Sequence, residues 1–300
     1  MRKFTILSRT KENSMKKIKI SLIGGDKRFV FAARLFCEAG YDTHLYANDL
    51  HAESTVGIFT DNNLDSSLEN ADVVILPLPY SRDGSTLFAP LSSRLITLAE
   101  LYEKLPPNAH VLAGMSDGMP DGIIKVDDNL DEEFTLRNAA ASAEGALATL
   151  IKETDKTLAE QKSVIIGYGR IGSLLADMLY SLGSKVSVVA RSPIARAKLE
   201  AKGIAAYDLP SLPTLIGECD SVINTVPSPL INNLSLALAS DDLTIIDLAA
   251  SPGGCDKRAV EKRGLKLIYA PGLPGKFAPM SAARALFIFA DKYIKENISI

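Results

Sequence analysis

The stretch Val164-Ile165-Ile166-Gly167-Tyr168-Gly169-Arg170-Ile171-Gly172 decides how this chain is read. Three β-branched apolar residues read as a buried strand, and the glycines that follow open a segment with helical apolar spacing, Ile171–Leu182. A GxGxxG run is weak by itself. Between a strand and a helix it becomes a dinucleotide fingerprint, because each glycine then has a task. Gly167 allows the tight turn, Gly169 lets the backbone approach a pyrophosphate, and Gly172 lets the helix pack closely on the strand. Unpaired N–H groups at the helix start, with the positive end of its dipole, stabilise phosphate charge. Gly167, Tyr168, Gly169, Arg170, Ile171 and Gly172 are the expected cofactor contacts. The competing reading is a plain glycine turn.

The tip of the next strand separates the two nicotinamide cofactors. An NAD site usually has Asp or Glu about 20 residues past the motif, bonded to the ribose hydroxyls. This chain has Val189-Ala190-Arg191-Ser192 there, without an acid. A carboxylate repels a 2′-phosphate, whereas Arg191 can pair with one and Ser192 can hydrogen-bond to it. NADP is therefore expected in preference to NAD, against the bland alternative of an exposed arginine ending a strand. Thr225, Val226 and Pro227 end a further strand and are expected along the adenosine or the linking ribose.

Outward from this core, short apolar runs alternate with helical patterns, the mark of parallel α/β architecture. After Gln161, strands are expected at Ser163–Ile166, Lys185–Ala190, Ala205–Tyr207, Ser221–Thr225, Leu243–Leu248 and Lys266–Ala270. Helices are expected at Ile171–Leu182, Pro193–Ala201, Leu212–Gly217, Asn232–Ala239 and Lys257–Arg263. In the first half, strands fall at Lys19–Ile23, Thr43–Tyr46, Asp72–Pro77 and His110–Ala113, with helices at Arg28–Ala39 and around Ser93–Lys104. An alanine-rich helix, Ala139–Ile151, sits between the halves as a connector. A last helix, Ser281–Asn297, has one apolar side and is expected to pack back onto the first domain. The expected fold is α/β, two Rossmann-like domains, the C-terminal one a doubly wound parallel sheet binding a dinucleotide. Its parts are a disordered tail over 1–14 (with Met15 an alternative start), a substrate or partner domain over 15–137, the NAD(P)-binding domain over 138–280 and the final helix over 281–300.

Composition excludes several classes. With 47% hydrophobic and 23% charged residues and a net charge of −3, the chain offers no electrostatic reason to bind nucleic acid. No apolar run approaches the ~20 residues of a membrane span. Cys37, Cys219 and Cys255 lack CxxC spacing, which points to a reducing, cytoplasmic home. His44, His51 and His110 stand at no metal-ligand spacing, so no metal is expected.

IGGDKR (Ile23–Arg28), VVILPLP (Val73–Pro79), GYGRIG (Gly167–Gly172), ARS (Ala190–Ser192), INTVPS (Ile223–Ser228), DLAASPGG (Asp247–Gly254) and APGLPGKFAP (Ala270–Pro279) together resemble the A-subunit family of dipicolinate synthase. GYGRIG is shared by many dehydrogenases; the specific part is IGGD combined with SPGG and APGLPG. The resemblance implies an NAD(P)-dependent oxidation of a dihydrodipicolinate-type intermediate to pyridine-2,6-dicarboxylate. It also implies a smaller flavoprotein-like B-subunit partner and action in the cytoplasm of the mother cell of a spore-forming bacterium.

A dicarboxylate should be held by cations or helix-start amides, for which Gly25, Arg28, Arg82 and Lys276 are the candidates. For each charged one, a solvated surface side chain is the competing reading. Glu144 and Asp247 are the only acid–base candidates, against a solvent-facing Glu and a loop-capping Asp. The lack of any histidine after His110 argues against a 2-hydroxyacid dehydrogenase. Two other readings stay open: a shikimate-dehydrogenase-like NADP reductase, and a non-catalytic nucleotide-binding regulatory subunit. Homo-oligomerisation is left open as well.

Overall fold

Parallel strands carry both halves of the chain. The computed structural model describes residues 17–50, 57–114, 116–121, 123–250 and 253–298; the tail over 1–14, Met15 and His51 lie outside them. In the first half run β1 (Lys19–Ile23), α1 (Lys27–Glu38), β2 (Asp42–Tyr46), β3 (Ile58–Thr60), α2 (Leu64–Leu68), β4 (Val73–Ile75), α3 (Leu98–Lys104), β5 (His110–Leu112) and β6 (Ile124–Val126). Then follow α4 (Glu132–Glu153), β7 (Lys162–Ile166), α5 (Arg170–Ser181), β8 (Lys185–Val189), α6 (Pro193–Ala201), β9 (Ala205–Tyr207), α7 (Leu212–Glu218) and β10 (Ser221–Asn224). β11 (Thr244–Asp247), α8 (Lys257–Lys262), β12 (Lys266–Tyr269), α9 (Leu273–Phe277) and α10 (Pro279–Asn297) complete the chain.

The sheets are ordered β3-β2-β1-β4-β5-β6 and β12-β11-β10-β7-β8-β9. Every pairing is parallel. Numbered from its own first strand, each sheet has the order 3-2-1-4-5-6 of a doubly wound fold, with helices on both faces. The two Rossmann-like domains expected from the sequence are present. Each forms its own unit: one extends to Asp127 and takes in the chain from Ala290 onward, the other is Asp128–Phe289. The whole alanine-rich helix thus belongs to the second unit.

Small residues set the geometry of that second unit. Ala143 and Ala146 of α4 are fully buried with Leu175, Ala176 and Leu179 of α5. On the same helix, a methyl group added to Gly145 would lie 2.8 Å from Leu273 Cβ, so α9 approaches α4 at a distance only glycine allows. Asp131 caps α4, accepting from Phe134 N at 2.7 Å, and Glu132 and Glu133 in the first turn suit its dipole. The start of α4 is thereby fixed beside α5.

Two expected helices differ. Asn232–Ala239 is a run of turns instead. Asn232 Oδ1 accepts from Leu234 N and Ser235 N, and Ser235 Oγ accepts from Asn232 N, so local side-chain bonds replace the helical ladder. The helix expected from Ser93 begins at Leu98, because Thr97 caps it through Glu100 N at 3.1 Å. The short edge strands β3 and β6 carry no alternation long enough to read.

The last turns of α10 belong to the first unit. Tyr41 Oη donates to Asp291 Oδ1 at 2.8 Å, and His110 Nδ1 lies 2.7 Å from Tyr293 Oη. Tyr293→Phe should lower unfolding free energy by about 0.5–1.5 kcal/mol in urea titration. Combined with His110→Ala it should be clearly non-additive, and additivity would show that the two rings do not interact.

Candidate functional site

The chain turns sharply where β7 ends. Gly167 has φ +101°, and a Cβ there would lie 2.4 Å from Thr225 Oγ1 and 2.7 Å from Val226 Cγ2. A Cβ on Gly172 would lie 2.3 Å from the Gly167 carbonyl oxygen. Gly169 is different: its φ of −86° suits any residue and no atom lies within 4 Å of its missing Cβ. It is the N-cap of α5, without a side-chain cap. The start of α5 therefore presents uncapped backbone amides to open space, a fit for a diphosphate. Tyr168 and Ile171 pack against the core and remain half-buried.

The same position in the first unit is closed. Gly25 N donates to Phe88 O at 2.8 Å, and Asp26 caps α1 by accepting from Arg28 N at 3.1 Å. Arg28 donates from Nε and Nη2 to the same carboxylate, at 2.8 and 3.0 Å. The Gly25 amide is thus spent internally, and the Asp26 carboxylate lies at the helix start, where an anion would sit. Arg82 lies over the Phe88 ring, 3.8 Å from its centroid. Lys276 is exposed on α9.

At the tip of β8, Arg191 is exposed. Ser192 caps α6 by accepting from Ala195 N at 3.3 Å. A second arginine, not singled out from the sequence, completes this tip: Arg196 Nη1 donates to the carbonyls of Ala190 at 2.8 Å and Arg191 at 3.0 Å. Its only signal was its place one turn into a helix that starts at the tip. No carboxylate stands between Val189 and Arg196.

Across β7 from β8, the loops after β10 and β11 share a buried polar lock. Thr225 Oγ1 donates to Ile166 O at 2.9 Å, which seats its side chain over the glycine turn. Asn224 Nδ2 donates to Asp247 Oδ1 at 2.8 Å and to Val226 O at 3.0 Å. Asp247, 2% exposed, also accepts from Ala249 N at 3.1 Å and Gly254 N at 2.8 Å. A Cβ on Gly254 would collide with Asn224 Nδ2 at 1.9 Å. Asp247 is therefore the loop-capping residue of the two readings; its carboxylate is committed to these donors. Glu144 is solvent-exposed on α4. Burial, with Asp247 alongside, pushes the Cys255 thiol well above its usual range. Pro227 is exposed.

One further cleft adjoins the glycine turn. It encloses about 260 Å³ between Thr135, Asn138 and Ser142 of α4 and the Gly169–Ile171 turn, with Thr225 on its wall. The Arg170 side chain donates to Glu132 from Nε at 3.1 Å, an exposed pair that holds Glu132 below the usual carboxylate range. Among the described residues, no group of three His, Cys, Asp or Glu is placed to hold a metal, and no helix is long and apolar enough to cross a membrane.

Known proteins resemble the chain in both units. Residues 19–124 match the family model described as the N-terminal domain of the dipicolinate synthase A subunit. Residues 136–258 match that of the D-isomer specific 2-hydroxyacid dehydrogenase NAD-binding domain. The dipicolinate synthase A subunit of Bacillus subtilis strain 168 is 27% identical over 288 residues, 93% of this chain and 96% of that protein. The crystal structure of the dipicolinate synthase A subunit from Bacillus halodurans aligns with TM-score 0.83 at 26% identity, covering 93% of this chain and 99% of that one. A transhydrogenase from Sinorhizobium meliloti, 16% identical, shares the fold at TM-score 0.69, covering 93% and 95% of the two chains. The chain thus resembles the A subunit of dipicolinate synthase along nearly its whole length. Its second unit is an NAD-binding domain of dehydrogenase type, for a nicotinamide dinucleotide. The 2-hydroxyacid-dehydrogenase likeness of that domain exists without a histidine after His110, which limits what the sequence argument against those enzymes excluded.

Substitutions in the glycine turn should separate binding from folding. Gly169→Val should abolish dinucleotide binding in calorimetry and leave the melting temperature nearly unchanged. Gly172→Val should lose both, because the Gly167 carbonyl cannot move aside. Asp247→Asn, which turns an acceptor into a donor among donors, should destabilise the protein by about 1–3 kcal/mol in chemical denaturation. A neutral outcome would argue against the lock.

Proposed function

Proceeding from its likeness to the A subunit of dipicolinate synthase, we propose that this chain is the NADP-dependent oxidoreductase component that converts a dihydrodipicolinate-type intermediate to pyridine-2,6-dicarboxylate. The observation that carries the reading is the uncapped start of α5, paired with the acid-free tip of β8 in a chain whose other unit matches the A-subunit family. When bound, the dinucleotide supplies the two-electron acceptor. The chain's own part is to bind and orient. Amides at Gly169–Ile171 meet the diphosphate, and Arg191, whose carbonyl accepts from Arg196 of α6, meets the 2′-phosphate.

Oxidation of a dihydropyridine also releases one proton, and aromatisation supplies much of the driving force. With Asp247 committed to loop donors and Glu144 in solvent, the proton passes to water, and near-attack orientation is the main catalytic demand. Arg28, held in one orientation by Asp26, and Arg82 are the first unit's proposed cations for a substrate carboxylate, and Lys276 is the separate candidate of the second unit. Gly25 drops out, because its N–H is already bonded to Phe88 O. The partner is a B-type subunit, and the setting is the mother cell of a sporulating bacterium.

Arg191→Asp should weaken NADP binding by about 1.5–3 kcal/mol or more, by loss of a charge-assisted contact and added repulsion, with NAD affected much less. Equal weakening of both would argue for NAD as the natural cofactor. Absorbance at the reduced-nicotinamide band should rise when the chain is mixed with NADP and dihydrodipicolinate. Tight NADP binding without turnover, even with the B-type subunit present, would favour a regulatory role.

A further inference from the structure

We infer that Asn138 reads the nicotinamide-riboside half of the dinucleotide. This deepens the cofactor reading and rests on it. The sheet order puts β7 between β8 and β10. A dinucleotide over the glycine turn therefore has its adenosine on the β8 side and its other half on the β10 side, which puts Thr225 by the ribose of that half and not along the adenosine. The cleft with Thr225 on its wall lies on the β10 side and abuts Gly169–Ile171, the amides proposed for the diphosphate. At about 260 Å³ and open to solvent, it has room for one moiety of the cofactor against its wall.

The chemistry of the lining selects that moiety. Thr135 Oγ1 is bonded to the carbonyls of Asp131 and Glu132, at 3.0 and 3.1 Å. Ser142 Oγ is bonded to Asn138 O at 3.1 Å. Arg170, the cleft's only cation, faces Glu132. The Asn138 carboxamide, half-buried at the wall, makes no hydrogen bond to any described residue. It offers both a donor pair and an acceptor. Neutral groups of this kind suit ribose hydroxyls or a carboxamide. A free dicarboxylate would need unpaired cations, which this cleft lacks. Ala143 and Ala146 pack α4 against α5 in the core, so Asn138 on α4 is placed beside the turn by the core and not by a loop.

The test is calorimetry on the full chain with NADP and NAD, and with 2′,5′-ADP and ADP, which lack the nicotinamide half. Asn138→Ala should weaken the dinucleotides about fivefold to tenfold, the effect of one neutral hydrogen bond, and leave the adenosine fragments unchanged. Asn138→Asp, which keeps the size but sets a charge beside the diphosphate, should weaken the dinucleotides further. Unchanged dinucleotide affinity in both variants, or an equal loss for dinucleotides and fragments, overturns the assignment while the cofactor reading stands. A wild-type chain that takes up none of the four ligands overturns both.

Discussion

The contact between residues 167 and 172 is the constraint on which the second unit depends. A strand and a helix meet so closely that a methyl group on Gly172 would lie 2.3 Å from the Gly167 carbonyl. Thr225 closes the turn from the neighbouring strand with a bond to Ile166 O. Because these positions have no room for a side chain, α5 is driven up against the sheet and its first amides point past the edge. Gly169, with open space around it, is the one glycine of the motif that the packing does not require.

A second layer keeps this edge in shape. Asn224 and Asp247 are buried, bonded to each other, and bonded to the backbone of both loops that leave β10 and β11. An unpaired carboxylate at that depth would carry a heavy desolvation penalty, whereas one that meets several donors is held firmly. The residue that chemical habit suggests as a base is thus an anchor. α4 provides the opposite wall through small residues, and its polar side chains reach the turn from a helix tied into the core.

Much of the architecture was legible in the sequence. Valine, isoleucine and leucine runs marked the long central strands, with β1, β9 and α6 bounded as expected. The glycine spacing marked the turn because its flanks were unambiguous. What stayed hidden depended on competition or on distance. Asn232 and Ser235 have the apolar neighbours of a helix, and their own side chains undo it. The commitment of Asp247 depends on Asn224 and Gly254, which are not its neighbours in sequence. Arg196 acts through carbonyls five and six residues back. The free amide of Asn138 looks like any polar helix residue until α5 is placed beside it. NADP over NAD still rests on the charges at one strand tip.

The twin topologies of the two units part at the start of the helix that follows each first strand. In the first unit the carboxylate of Asp26 sits at the mouth of α1 as a built-in anion, already bonded to Arg28. Duplicate scaffolds would ordinarily offer duplicate addresses for phosphate. Here the chain places its own carboxylate at one of them, so the two helix starts are not equivalent: a side chain caps α1, whereas α5 has no side-chain cap.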